Sequence, residues 1–135
     1  MTITVQRDLS GAMRHIVHIG QHAFAVDEPP SNGGEDSGPT PHDLYDSALG
    51  ACKALTLVWF ARRKGIPLED VKVTVERDDS EEKNGRYRLR TTLSLGGPLS
   101  DTQREQLLAV AGKCPLHKLM AEAKTEVTTE LAAEA

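Results

Sequence analysis

Alternating apolar and polar residues fill the first part of the chain and predict three antiparallel strands. Residues 2–6 and 13–19 largely alternate between apolar and polar side chains, and residues 22–26 form a third short run. Period-two alternation is typical of strands with one buried face. Turn residues around Gly11 and Gly20 separate the three segments, so we expect an antiparallel meander.

A long loop and a long helix follow. Proline, glycine and short polar residues dominate residues 27–41, which predicts a loop. Loops of this length inside a compact domain are often functional. Thr40 and Pro41 predict the start of a helix, because threonine is a good N-cap and proline suits the first helical position. The basic run 62–64, followed by Gly65, predicts its end.

Apolar side chains cover more than one face of this predicted helix. One stripe recurs at spacings of three and four residues, and further apolar residues lie beside it. Such a helix is expected to be central and covered by other elements. The stripe consists of Leu44, Ala48, Cys52, Leu55 and Trp59.

The second half of the chain predicts a hairpin, two helices and a final strand. The turn dipeptide Asn84-Gly85 separates two alternating segments and favours a hairpin. The helices and strands are segregated along the chain, which indicates an α+β fold with antiparallel sheet in a single domain, residues 1–135. The elements are expected over residues 71–76 and 87–95 (strands), from Ser100 to Gly112 and from Pro115 to about Ala123 (helices), and over Thr125–Leu131 (strand).

Composition and charge limit the classes of function. Apolar residues make up 39%, charged residues 27%, and the formal net charge is −4. No apolar run approaches the roughly 18 residues that span a bilayer, and no basic segment leads into an apolar one at the N terminus. Nucleic-acid binding needs a basic surface, which this balance does not favour. We therefore expect a cytoplasmic protein without a membrane or nucleic-acid partner.

The two cysteines, Cys52 and Cys114, are the strongest chemical candidates. In a reducing compartment a permanent disulfide is not the default. Cys52 lies on the apolar stripe, so it is either a small buried hydrophobe or a thiol that a cationic or hydrogen-bonding partner activates. The basic candidates for that partner are Arg14, His15, His18 and the adjacent Lys53. Cys114 precedes Pro115, which makes it the predicted N-cap of a helix, where the positive helix end lowers a thiol pKa. Basic neighbours add to that effect; they are Lys113, His117 and Lys118. On local electrostatics alone, Cys114 is the better thiolate.

Metal and phosphate sites are not indicated. The five histidines form no recognised metal-ligand spacing with carboxylates or thiols. The glycine-rich part of the loop lacks the Lys-Ser/Thr of a phosphate-binding loop. We expect neither a metal nor a cofactor.

Two segments carry a resemblance to a known family. They are DEPPSNGGEDSGPTPHDLYDSALGAC, which ends at Cys52, and GKCPLHKLM, which contains Cys114. Together they resemble the OsmC/Ohr family of osmotically inducible and organic-hydroperoxide-resistance proteins. The resemblance implies an intertwined homodimer with antiparallel sheets wrapped around central cysteine-bearing helices and two sites at the dimer interface.

The resemblance also implies a chemistry, an antioxidant thiol peroxidation of the oxidative stress response. By position, Cys52 matches the cysteine that attacks an organic hydroperoxide, and Cys114 matches the resolving cysteine. The resulting disulfide is reduced by a dithiol. Arg14 matches the arginine that activates the thiolate. The apolar residues Leu44, Leu55 and Trp59 would favour organic substrates.

One position departs from the family pattern. The family places a glutamate after the helix-opening proline, where it holds the arginine, but this chain has His42 there and Asp43 next along. Asp43 is a candidate substitute, and His42 a candidate for another role. The departure keeps an alternative open, a non-catalytic dimer of the same fold that binds a small apolar or thiol-reactive ligand.

Overall fold

The structure, a computed structural model, describes residues 1–133. In this range it contains three α-helices and two antiparallel sheets, which confirms the predicted α+β class. The strands are β1 (Ile3–Arg7), β2 (His15–Ile19), β3 (His22–Val26), β4 (Asp70–Asp78) and β5 (Arg88–Gly96), and the helices are α1 (Pro41–Lys64), α2 (Asp101–Ala111) and α3 (Pro115–Ala121).

The chain divides into two compact units, residues 1–48 and the residues from Leu49 onward. Helix α1 begins in the first unit and continues into the second. That both units form the single domain 1–135 stays a prediction.

The first unit contains the predicted three-stranded meander, in the order β1-β2-β3. Val5 pairs with Val17, and Val17 pairs with Phe24. Gly20 lies at the turn between β2 and β3 with a φ of +58°, a left-handed conformation that glycine adopts without a steric penalty. Strand β2 begins at His15, so the meander is confirmed with a slightly shorter second strand.

The loop before α1 is organised around the buried carboxylate of Asp27. This carboxylate accepts the backbone N–H groups of Glu28, Glu35 and Ser37 at 2.8, 3.2 and 3.0 Å, and the Ser37 hydroxyl at 2.6 Å. These donors hold the pKa of Asp27 well below its usual range. A Cβ on Gly34 would lie 1.9 Å from the carbonyl oxygen of Glu28, so glycine is required there. The sequence therefore encodes a folded loop rather than a plain linker.

The predicted starts of α1 and α2 are confirmed with their capping contacts. The Thr40 hydroxyl accepts the Asp43 N–H at 3.1 Å, and the Asp43 carboxylate accepts the Thr40 N–H at 3.0 Å. Ser100 and Gln103 form the same reciprocal pair at the start of α2. Each pair satisfies two of the N–H groups that a helix start leaves without intrahelical partners.

The core of the second unit lies between α1, α2 and the β4–β5 hairpin. Leu57 and Leu107 are fully buried, and Ala61 and Ala111 are nearly so. The buried stripe of α1 in this unit is Leu49, Lys53, Leu57 and Ala61, at a spacing of four. The predicted stripe is wrong in this part of the helix, since Leu55 and Trp59 are 71% and 59% exposed. The error arose because a buried lysine interrupts the apolar pattern of the true stripe.

The end of the described chain differs from its prediction. The strand expected over Thr125–Leu131 is wrong, because residues 124–133 have no regular secondary structure. Every side chain in that range is exposed, Val127 at 78%. Strand propensity needs a partner strand and a surface to cover, and in this chain the segment has neither among residues 1–133.

Candidate functional site

The two cysteines, distant in sequence, meet in the second unit. Cys52 lies on α1, half-buried, and Cys114 immediately precedes α3 and is fully buried. The two side chains are within hydrogen-bonding reach of each other, and both are free thiols. The structure therefore brings together two of the predicted site residues.

Burial reverses the expected acidity of Cys114. The residue is the N-cap of α3, as predicted. Yet burial raises the pKa of the Cys114 thiol, and the hydrogen bond to Cys52 raises it further, against a smaller lowering by the His117 N–H and by Lys53. The expected lowering of the Cys114 pKa by the helix end is therefore wrong, because an apolar environment disfavours the charged form more than a short helix end favours it.

A close approach of strand and helix supports the cysteine-bearing turn of α1. A Cβ on Gly50 would lie 2.9 Å from a methyl carbon of Val75 on β4. The absence of a side chain at Gly50 lets β4 pack directly against the helix, two residues before Cys52. The glycine of the LGAC segment thus has a packing role next to the thiol.

A buried lysine adjoins the two thiols. Lys53 is only 3% exposed, and its ammonium donates to the carbonyl oxygen of Ala111 at 2.8 Å. Ala111 is the last residue of α2, where the helix presents carbonyl groups without intrahelical partners and a partial negative charge. The ammonium is thus held by a helix C terminus.

His117 completes the environment of Lys53. The Lys53 Nζ lies 2.8 Å from His117 Nδ1. An ammonium can only donate, so Nδ1 accepts and His117 carries its proton on Nε2. Sequence reasoning singled out Lys53 and His117 only as basic neighbours of the two cysteines. The signal it missed is the four-residue spacing that places Lys53 on the buried face with Leu49 and Leu57.

Arg14 lies in the first unit, immediately before β2, where a carboxylate holds it. Its Nε donates to Asp8 at 2.8 Å, and its Nη1 donates to the carbonyl oxygen of Ser37 at 3.2 Å. Ser10 and, less strongly, Arg14 lower the pKa of Asp8. The resemblance offers Asp43 as the substitute carboxylate, whereas the structure pairs Arg14 with Asp8, which the sequence does not single out.

His42 and Asp43 lie in the first turn of α1. Asp43 contributes its carboxylate to the capping pair with Thr40. Its negative charge also lies at the positive end of the helix, where it is favourable. The structure thus shows a capping function for Asp43.

An apolar surface extends along α1 beyond the thiols. Leu55, Val58 and Trp59 line an open groove of about 400 Å³ together with Arg62 and Arg63. The guanidinium of Arg63 lies over the Trp59 ring, 5.0 Å from its centroid. Exposed leucine and tryptophan side chains on one helix are unusual for a surface that stays in water.

Residues 1–133 offer neither a metal centre nor a membrane-spanning helix. No group of three or more histidine, cysteine or acidic side chains there is arranged to hold a metal ion. Among the helices in that range, none has the length and apolar character that a membrane span requires.

Comparison with known proteins places this α+β chain with its paired thiols in a family. The model of the family described as OsmC-like protein matches residues 34–130. The chain therefore belongs to the OsmC-like family, and the resemblance inferred from the sequence is confirmed. The match includes both cysteines but not Arg14.

Solved structures of low sequence identity share the fold. An OsmC-like protein from Mycoplasma pneumoniae superposes with a TM-score of 0.71 at 21% identity, over 90% of this chain and 86% of that chain. An organic hydroperoxide resistance protein from Legionella pneumophila gives a TM-score of 0.63 at 24% identity, over 90% and 88%. The protein OhrB of Bacillus subtilis gives 0.60 at 19% identity, over 90% of both chains. A comparison with curated proteins gives no match.

Proposed function

We propose that this protein is a thiol-dependent peroxidase that reduces organic hydroperoxides through a disulfide between Cys52 and Cys114. The observation that carries the proposal is the contact between the two free thiols, one half-buried and the other fully buried. Two cysteines that pack together merely as hydrophobes need no such asymmetry. A peroxide-reducing pair does, since the attacking thiol must reach substrate and the resolving thiol need not.

The proposed cycle has three balanced steps. The Cys52 thiolate attacks one oxygen of the hydroperoxide, the O–O bond breaks, and a proton completes the alcohol product. Cys52 is then a sulfenic acid. The Cys114 sulfur attacks the Cys52 sulfur, the S–O bond breaks, and the Cys114 proton leaves with the hydroxyl as water. A dithiol reductant finally restores both thiols by exchange.

The environments of the sulfurs support this division of roles. Burial and the hydrogen bond to Cys52 keep Cys114 protonated. A protonated Cys114 can donate its S–H to the Cys52 sulfur. Thiolates, not thiols, are the nucleophiles, so Cys52 attacks first.

Arg14 has the proposed role of stabilising the Cys52 thiolate and the charge that develops on the peroxide. Its guanidinium is already oriented by Asp8 and by the Ser37 carbonyl, in the first unit. An oriented donor costs little reorganisation when charge develops. Asp8 thus offers the carboxylate that the family places after the helix-opening proline.

The proposed assembly is a homodimer in the cytoplasm, in which the apolar surface of α1 is covered. Leu55 and Trp59 are largely exposed in the single chain, a costly arrangement for apolar groups of that size. In the dimer that the family resemblance implies, such side chains would line the site and select organic over inorganic hydroperoxides. The proposal includes no metal or cofactor.

Steady-state turnover tests the proposal. With cumene hydroperoxide and a dithiol reductant, we expect peroxide consumption by the wild-type protein and none above background by Cys52→Ser. Cys114→Ser provides the matched control, because it should form the Cys52 sulfenic acid but not the disulfide. Undiminished consumption by Cys52→Ser would refute the assignment.

A second candidate function is non-catalytic binding of a small apolar or thiol-reactive ligand. The open groove beside Trp59 and the histidine at position 42 favour it. In that case both thiols would stay reduced in excess hydroperoxide. An apolar fluorescent probe would bind the wild-type protein, and the substitution Trp59→Ala would weaken that binding.

A further inference from the structure

Lys53 carries a buried positive charge that the proposed attack on the hydroperoxide does not use. It follows Cys52 directly, but its side chain lies on the buried face of α1 with Leu49 and Leu57. Burial of an ammonium costs free energy unless its donors are satisfied. Two of its three donors bind the Ala111 carbonyl and His117 Nδ1, each at 2.8 Å.

The two partners of Lys53 are neutral groups. A carboxylate at this place would neutralise the ammonium, whereas a carbonyl dipole and a neutral imidazole leave its charge available to other groups. Lys53 binds His117 of α3, the helix whose N-cap is Cys114, so the ammonium lies near the start of that helix. The pKa of the Cys114 thiol is raised by burial and by Cys52 and lowered by the His117 N–H and by Lys53. Lys53 is the cation among them.

We infer that Lys53 is a positioning residue that stabilises the Cys114 thiolate as it attacks the Cys52 sulfenic acid, and that His117 holds the ammonium in place. The inference rests on the proposed function and extends it to the resolving step. In that step the Cys114 S–H bond breaks, the S–S bond forms, the Cys52 S–O bond breaks and the proton leaves in water. Negative charge develops on Cys114 before the S–S bond is complete, and the ammonium offsets it.

The arrangement separates the two halves of the cycle. While Cys52 is a thiolate, burial keeps Cys114 protonated against the smaller opposing effect of Lys53. Oxidation of Cys52 to the neutral sulfenic acid removes the charge that opposed ionisation of Cys114. Lys53 continues to favour the Cys114 thiolate, so the resolving thiol ionises more readily once the attacking thiol is oxidised.

The test follows one turnover of the reduced protein with one equivalent of cumene hydroperoxide. Dimedone traps the sulfenic acid, and intact mass separates that adduct from the disulfide. For Lys53→Met, we expect sulfenic acid to form as in wild type and the disulfide to form about tenfold more slowly at neutral pH, because a charge nearby moves a pKa by about one unit or more. Raising the pH, or the substitution Lys53→Arg, should restore the rate.

Matched variants test whether slower disulfide formation in Lys53→Met comes merely from the loss of any positive charge or from a damaged structure. Lys64→Met removes an exposed lysine at the end of the same helix, α1, and should resolve at the wild-type rate. His117→Leu removes the acceptor for Lys53 and should slow resolution, whereas His117→Asn keeps an acceptor oxygen and should slow it less. The histidine pair also tests the contact if Lys53→Met does not fold. Resolution by Lys53→Met or by His117→Leu at the wild-type rate would overturn the inference while the proposed function stands.

A second measurement needs no peroxide and so remains decisive if the proposed function fails. In a Cys52→Ser background Cys114 is the sole thiol. Its ionisation can then be followed by the ultraviolet absorbance of the thiolate. In this background, the further substitution Lys53→Met should move the titration midpoint of Cys114 upward by about one pH unit, the size expected for the loss of a nearby cation. An unchanged midpoint would overturn the inference.

Discussion

Two cations of this protein are held in opposite ways. Arg14, in the first unit, is 30% exposed and pairs with the carboxylate of Asp8, while Lys53, in the second, is 3% exposed and binds a carbonyl and an imidazole. The first charge is oriented by a carboxylate in a local turn. The second is fixed in the interior by a helix C terminus and an imidazole. The comparison teaches that a cation can be oriented by a carboxylate near the surface or by neutral groups in the interior, one in each unit.

The largest expected effect is a charge reversal at the buried position. Lys53→Glu would place a carboxylate against the Ala111 carbonyl and lower the free energy of unfolding by about 3–5 kcal/mol, the size found when a buried ionic contact is broken. Arg14→Glu should cost about 1 kcal/mol or less, since a partly exposed ion pair is worth little. Urea unfolding of both variants measures the difference. Equal losses would remove the contrast between the two cations.

A smaller effect is expected where β4 meets α1. Gly50→Ala puts a methyl group 2.9 Å from a Val75 methyl carbon, so the Val75 side chain or its strand must shift. We expect a loss of about 1–3 kcal/mol, as for other overpacked sites. Gly112→Ala is the control, because its φ is −71° and the added methyl group would have only ordinary contacts. If both substitutions had the same small effect in thermal unfolding, Gly50 would not be needed for the close packing beside Cys52.

The smallest effect concerns the pH dependence of the exposed pair. The pKa of Asp8 is lowered in the folded protein, so its ionised form favours folding. That contribution is fully present above the unfolded pKa of about 4 and is lost as the pH falls through the folded pKa. Asp8→Asn should therefore be less stable than wild type at neutral pH and equally stable in strong acid. A difference that persisted unchanged at low pH would mean that Asp8 acts through packing rather than charge.

The elements with local signals were predictable from the sequence. Thr40 and Ser100 mark helix starts, and Asn84-Gly85 marks the hairpin turn, because each acts through its own backbone neighbours. The identity of the cysteine pair was equally predictable, from the two segments that carry the family resemblance. Their contact in the structure agrees with that expectation.

The errors share a cause, which is dependence on tertiary contacts. The pKa of Cys114 followed its local helix end in the prediction but follows burial in the structure. Lys53 looked polar in the pattern, although a carbonyl and a histidine distant in sequence satisfy it in the interior. The segment 125–131 has strand propensity but no strand partner in residues 1–133. The groups that surround Cys114 and Lys53 in the interior cannot be identified from sequence spacing alone. The same is true of the missing partner strand for residues 125–131.

The most direct measurement of the central claim is intact mass with thiol alkylation, before and after one equivalent of cumene hydroperoxide. The account predicts loss of the mass of two hydrogen atoms, protection of both cysteines from alkylation, and a mapped disulfide joining Cys52 to Cys114. Two thiols that stay fully alkylatable, with the mass unchanged, would contradict it.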